Sequence, residues 1–281
     1  MALKVLRLPR TIWHARRPLT STSSRSTGGT LSIASFNVYD LSSERKKEQL
    51  AADIHKYQVD ICCLQETKHP DGFDKSTGGC RLIGLPSEIP HHGTGFAIGR
   101  TVAERVLSFW KVSDRISVVH LLLSDQRESP SLCTVVNVHA PGRNSPRLDE
   151  FYSDLGRVVT QLSSSDMFFL AGDFNAGLGE RRSWEMFMGP HNLGNRSPRG
   201  RELAQFLGAH QLFACNTAFQ LKASQTITRP AGKKAGTVID FVTCKQSQRT
   251  ALKKCRSYAE TTVCSDHRLV VARFTIPSQL K

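Results

Sequence analysis

The stretch Met167-Phe168-Phe169-Leu170-Ala171-Gly172-Asp173-Phe174-Asn175 opens with a short, unbroken apolar run. Such a run, bounded and continuous, reads as a strand buried on both faces. It then breaks into Gly-Asp-Phe-Asn, placing polar side chains at the C-terminal end of a buried strand, where α/β folds gather their sites. Upstream, Ser145-Pro146 predicts a helix start, an N-cap followed by proline at the first helical position, with Leu148, Phe151, Tyr152, Leu155, Val158, Val159 and Leu162 on its buried face. Downstream, Leu203, Phe206 and Leu207 mark a helix around residues 201–210.

The same alternation extends to both ends. Strands are predicted at residues 31–38, 59–64, 96–98, 105–110, 116–123 and 132–139, then at 212–215, 238–243 and 269–276. A helix opens at Ser42-Ser43-Glu44 with Leu50, Ala51, Ile54 and Tyr57 on one face, and the polar, Gly-rich stretch from Thr67 to Gly95 carries no predicted element. The expected architecture is α/β: two mixed β-sheets packed face to face and flanked by helices, a four-layer α/β sandwich over residues 31–278. Residues 1–30, rich in Arg, Ser and Thr and lacking acids, form a basic arm expected to be disordered. That composition suits a mitochondrial transit peptide as well as an arm that touches phosphates; the primary expectation is a nuclear or nucleocytoplasmic protein.

The formal net charge is +14, and the body stays basic when the six cations of the arm are set aside. A basic surface attracts polyanions by counterion release, so DNA is the expected partner. No apolar run approaches the ~18 residues a membrane span needs, so no membrane association is expected. Eight cysteines occur without a C-x-x-C pair. A zinc site is therefore not expected, and free thiols are.

The polar strand ending recurs: Ser35-Phe36-Asn37, Leu64-Gln65-Glu66-Thr67, Asn137-Val138-His139-Ala140-Pro141, Gly172-Asp173-Phe174-Asn175 and Ser265-Asp266-His267. Asp240 sits among Val238, Ile239, Phe241 and Val242, where a carboxylate is costly unless paired, and His267 is its natural partner.

In order, S-x-N, L-Q-E, G-D-F-N, I-D and S-D-H resemble the endonuclease/exonuclease/phosphatase superfamily. Within it, Val136 to Pro141 leading into Arg147 to Leu155, Cys215 to Phe219 and Ser265 to Val270 are similar to the apurinic-like endonuclease domains of RTE-type non-LTR retrotransposons. The resemblance implies a metal-dependent hydrolase that nicks DNA to give a 3′-hydroxyl and a 5′-phosphate, with Mg²⁺ or Mn²⁺ as cofactor. It implies that Glu66 is the principal metal ligand, with Asn37 beside it and Asp266 assisting. Asp173 would orient or deprotonate the attacking water, Asn175 would bond the phosphate, and His267, its tautomer fixed by Asp240, would donate to a phosphoryl oxygen. His139 stands where repair-type members have a phosphate-contacting tyrosine, and a protonated imidazole there could also donate. Two further departures are Tyr39, two places after Asn37, with the acid moved to Asp40, and the absence of an aromatic residue in Gly236-Thr237-Val238 to hold an extruded abasic sugar.

Basic residues in loops next to these motifs are candidates for DNA contact: Arg143, Arg147, Arg196, Arg199, Lys233 and Lys234. No aromatic stacking platform is legible. Two other readings use the same residues: an abasic-site repair endonuclease or another phosphodiesterase or phosphatase of the superfamily, and an inactive relic with a binding role.

Overall fold

A computed structural model of the protein describes residues 13–14, 29–89, 92–124, 131–142, 145–232 and 234–276. The first half runs β1 (Trp13–His14), β2 (Thr30–Asn37), α1 (Glu44–Lys56), β3 (Ile61–Gln65), β4 (Phe73–Thr77), β5 (Cys80–Gly84), β6 (Thr94–Ile98), β7 (Val106–Ser113), β8 (Ile116–Ser124), β9 (Ser131–His139) and α2 (Leu148–Leu162). The second half runs β10 (Met167–Asp173), α3 (Pro198–Ala209), β11 (Leu212–Ala214), α4 (Ala223–Thr226), β12 (Arg229–Ala231), β13 (Lys234–Thr237), β14 (Asp240–Lys245), β15 (Leu252–Tyr258) and β16 (Leu269–Thr275). One seven-stranded sheet has the order β1-β7-β8-β9-β10-β14-β11, the other β15-β16-β2-β3-β6-β5-β4, and β12-β13 form a separate ribbon.

Strand alternation builds the layers. Ile33, Ile61, Cys63, Phe96, Val119, Val135, Phe169, Val242 and Phe274 point into the space between the sheets. Their sequence neighbours point outward: Val136, Val138 and Phe168 meet Phe151, Leu155 and Leu207 of α2 and α3 on one side. Ala34, Phe36 and Leu64 meet Leu50 and Ile54 of α1 on the other. Strands covered on both faces read as continuous apolar runs for this reason, and the four-layer α/β sandwich stands as expected.

Several boundaries differ. Helix α2 begins at Leu148 with Arg147 as its uncapped N-cap, and Ser145 instead accepts from the Arg147 amide at 3.3 Å in the preceding turn. The Ser-Pro start belongs to α3, where Ser197 accepts from the Gly200 amide at 2.9 Å and Pro198 occupies the first turn. The Gly-rich stretch contains the β4-β5 hairpin, hidden because β4 lies at a sheet edge and buries none of its side chains fully. Asp240 opens β14 rather than lying within a strand. Trp13–His14 of the expected arm pairs with Phe109 and Ser108 at the edge of β7; residues 1–12 and 15–28 lie outside the described residues. The cysteines are free. No helix among the described residues is long and apolar enough to cross a membrane.

Candidate active site

The site forms because strand direction brings distant residues to one rim. The parallel strands β2 and β3 end together at Asn37 and Gln65, and β9 and β10 end together at His139 and Asp173. Strands β14 and β16 run antiparallel to β10 and β2, so they reach this rim with their N-terminal ends: Asp240 lies opposite Asp173, and His267 just precedes Leu269. Gly172, one residue before Asp173, is there for space, since a Cβ would stand 1.9 Å from the Val138 carbonyl oxygen.

The inner part of the site is a buried chain of charges. His267 Nδ1 lies 3.0 Å from each oxygen of Asp240, which is fully buried. Its Nε2 lies 3.7 Å from Asp173 Oδ2 and 4.0 Å from Asp266 Oδ1. Burial pulls the imidazole toward neutrality, but the charge of Asp240 and the hydrogen bond to it prevail and raise its pKa to about 9. Asp173 is raised to about 7, first by burial and then by the like charge of Asp240. Its Oδ1 accepts from the Asn175 amide at 2.9 Å and its Oδ2 from Asn37 Nδ2 at 3.2 Å. Asn175 reaches Ala140 O with its side chain at 2.9 Å.

The outer part is built around Glu66, whose side chain keeps 22% of its surface exposed. Asn37 Nδ2 donates to Glu66 Oε1 at 2.9 Å, and the Lys68 ammonium lies 3.5 Å from Oε2 and 3.6 Å from the centre of the Tyr39 ring. Tyr39, Glu66, Lys68 and Asn175 all have positive φ. Backbone strain of about 1–3 kcal/mol per residue is typical of positions fixed by function.

Every residue assigned to metal or catalysis reaches this rim, and the geometry bears on the expected roles of Asn37 and His139 and on the displaced acid Asp40. Asn37 turns its amide nitrogen, not its oxygen, toward Glu66 and Asp173; its Oδ1 accepts from the Tyr39 amide at 3.0 Å, so it aligns two carboxylates. His139 is driven down to about 3, by burial first and then by Arg115 and His92, so it is a neutral imidazole beside Glu66 at 3.9 Å and not a cationic donor. Asp40 does not replace the missing acid: it binds Lys46 at 2.5 Å and the Ser42 amide at 2.8 Å. Asp266, half exposed, also accepts at Oδ2 from both Nε and Nη2 of Arg229, at 3.1 and 2.8 Å.

The DNA-contact candidates divide. Arg147 is exposed next to the rim. Arg196 is withdrawn, its guanidinium nearly buried on Glu185 with one contact at 2.7 Å. Arg199 holds the loop after His139 by donating to the carbonyls of Pro141 at 3.0 Å and Ser145 at 3.4 Å. Arg143 and Lys233 lie outside the described residues, and Lys234 belongs to β13. Arg115, which no motif signalled, donates to His139 O at 3.0 Å from the β7-β8 turn.

Positioning residues were missed as well. Thr228 Oγ1 accepts from the amides of Ile239 and Asp240 at 3.0 and 3.1 Å, and Asn216 donates to Asp240 O at 2.9 Å while accepting from Val242. Gln65 Nε2 donates across the sheet interface to Asn137 Oδ1 at 2.8 Å, and Asn137 donates to the carbonyls of Leu64 and Gly95. For Gln65 and Asn137 a polar side chain inside an apolar strand was the available signal; Thr228 and Asn216 lie outside strands and carried none.

Asp173, Asp240 and His267 offer ligand-type atoms within 4.8 Å of one another, a group that could hold a divalent metal. Both oxygens of Asp240 face Nδ1, however, so this group is already paired internally, whereas Glu66 is partly open to solvent.

With this rim at the end of two stacked sheets, the chain belongs to the Endonuclease/Exonuclease/phosphatase family, whose pattern matches residues 34–267. Craniofacial development protein 2 of Bos taurus is 27% identical over 252 residues, covering 87% of this chain and 41% of that protein. Its counterpart in Tragulus javanicus is 30% identical, covering 87% and 42%. The chain thus spans about two fifths of these relatives. In structure it is similar to the endonuclease domain of TRAS1, a telomere-specific non-LTR retrotransposon (TM-score 0.61, 15% identity, 88% of this chain and 99% of that one). It is also similar to the AP endonuclease LMAP from Leishmania major (TM-score 0.66, 15% identity, 95% and 93%). At these identities the likeness establishes the fold.

Proposed function

We propose that this chain is an endonuclease that nicks DNA, leaving a 3′-hydroxyl and a 5′-phosphate. The observation that carries the reading is the buried Asp240–His267 pair, its Nε2 pointing at Asp173 beside the open carboxylate of Glu66. Asp173, held by Asn37 and the Asn175 amide and poised near neutral pH, is placed to take a proton from water. His267, kept cationic by Asp240, is placed to donate from Nε2 to a phosphoryl or leaving oxygen. Glu66 would hold Mg²⁺ or Mn²⁺, with Asp266 able to join once released from Arg229; a single open carboxylate suits a hard cation that keeps several waters. When bound, the cation neutralises charge on the phosphate.

DNA rather than a small phosphate ester is favoured by the basic charge and by the neighbours named for endonuclease activity. Thr237 lies exposed just before Asp240, with no aromatic wall there for an extruded sugar, so intact duplex is included among the substrates. Supercoiled-plasmid nicking in Mg²⁺ against EDTA tests the proposal. Relaxed circles should accumulate only with the metal, and equal nicking in EDTA would overturn it.

A further inference from the structure

Between β10 and α3 the chain makes an excursion, closed at its neck by Ser197 N donating to Gly177 O at 3.0 Å and Gly177 N donating to Ser197 Oγ at 3.1 Å. The excursion is a built object. Glu185, 5% exposed, sits at its centre and accepts from Arg196 and from the Arg182 amide, while Arg181 donates to the Glu185 carbonyl at 2.7 Å. Farther along, Ala214 donates to Phe187 O at 2.8 Å, tying the loop to the edge strand β11. A loop fixed this firmly nevertheless presents Trp184 with 71% of its surface in water and Met186 with 57%. Among the described residues Trp184 is the most exposed large apolar side chain.

The surroundings of Trp184 have a definite chemistry. The Arg182 guanidinium lies 5.7 Å from the indole centre, leaving much of the ring uncovered. Beside it is a hollow of about 780 Å³ lined also by Arg201, Gln205 and Gln246, within the roughly 300–1,000 Å³ range of ligand sites. Its acid, Glu185, is already neutralised by Arg196, so the hollow keeps the positive charge of Arg182 and Arg201. An uncovered indole, two guanidiniums and side-chain amides are what an unpaired nucleotide needs: a stacking surface, phosphate partners and donors and acceptors for a base edge. A paired base has its faces covered by its neighbours and cannot use the indole.

We infer that the Trp184 loop is an ancillary binding site for unpaired nucleotides of single-stranded DNA, the base stacking on Trp184 and the phosphates meeting Arg182 and Arg201. This goes beyond the nuclease reading, and binding in EDTA tests it without any cleavage. The experiment is fluorescence anisotropy of a labelled oligothymidylate of about a dozen nucleotides, with a blunt duplex as the second probe. Trp184→Ala should weaken oligothymidylate binding about tenfold, as loss of one stacked base does, whereas Trp184→Phe keeps most of the affinity and duplex affinity does not change. Arg182→Gln with Arg201→Gln should lower the slope of log Kd against log salt by about 1.4, the contribution of two phosphate contacts on a single strand. Because Trp184 is exposed, its variants should melt with the parent. Unchanged oligothymidylate binding in Trp184→Ala would overturn the inference, as would an equal loss on the duplex. So would oligoglutamate proving to be the ligand whose binding depends on Trp184, which would make the face a docking site for an acidic protein segment. Plasmid nicking bears only on the active site, so each proposal can fail alone.

Discussion

The inner and outer parts of the rim solve opposite problems with similar residues. Asp173, Asp240 and His267 are buried and satisfied by one another, so they hold a fixed geometry with no ligand present. Glu66 is partly open to solvent and Tyr39 is exposed, and the charge of Glu66 is met by Lys68 at 3.5 Å, a longer contact than those of the inner group. Proton transfer needs preorganisation, while metal binding needs access and exchange. On the proposed mechanism, burial, more than residue type, separates the two roles.

The sharpest way to break that contrast is Asp173→Asn. Loss of a general base costs about 10²-fold or more. The amide is nearly isosteric and removes the repulsion with Asp240, but it keeps only one of the two acceptor positions, because its NH2 cannot accept from Asn37 or the Asn175 amide. Nicking should collapse while the variant still unfolds in one cooperative transition. Retention of more than about a tenth of the parent rate would remove Asp173 from the chemistry. On the outer side, Glu66→Gln should shift half-maximal Mg²⁺ upward by about tenfold, the loss of one charged ligand contact of order 1.4 kcal/mol, with most of the rate regained at saturating metal. A metal titration that overlays the parent would move the metal to the inner group.

The absence of an aromatic wall before Asp240 carries the prediction about substrate choice. Plasmid or intact duplex should be nicked within about tenfold of an abasic-site duplex, at most about 1.4 kcal/mol of discrimination in the transition state. Rates on both substrates at one low salt concentration decide it, and a thousandfold abasic preference would make this a repair enzyme. The smallest expected effect tests the residue between the two parts. His139 has its pKa lowered from 6.5 to about 3, so the unfolded chain binds more protons in that window and stability falls as pH drops from 6.5 toward 3. One proton contributes about 1.4 kcal/mol per pH unit at most. His139→Gln, unfolded with urea in EDTA, should show a flatter stability profile over that window, and an unchanged slope would show that His139 takes up its proton in the folded state.

The inner part was legible in the sequence because a carboxylate among Val238, Ile239 and Phe241 or after Met167 to Ala171 is physically conspicuous. The four layers were legible because doubly covered strands are apolar throughout. What stayed hidden depended on direction or partner. Which way the amide of Asn37 turns depends on its partners, the Tyr39 amide on Oδ1 and the carboxylates of Glu66 and Asp173 on Nδ2. Arg196 reads as a DNA-contact candidate in the sequence because Glu185, which withdraws it, is eleven residues away in a loop with no periodicity. Edge strands such as β4 and the exposed Trp184 carry no burial pattern to read.

The Gln65–Asn137 contact separates two kinds of robustness. Apolar packing between the sheets has no preferred register, whereas a 2.8 Å amide contact allows little sliding. Gln65 is followed by Glu66, and Asn137 lies two residues before His139, so this contact indexes one sheet against the other beside the rim. Removing Phe169 from the interior should cost about 3–5 kcal/mol of stability yet leave the surviving folded molecules in correct alignment. Volume-conserving apolar exchanges in the interior should therefore cost little, with the pin rather than any one packed side chain marking where the two sheets must meet.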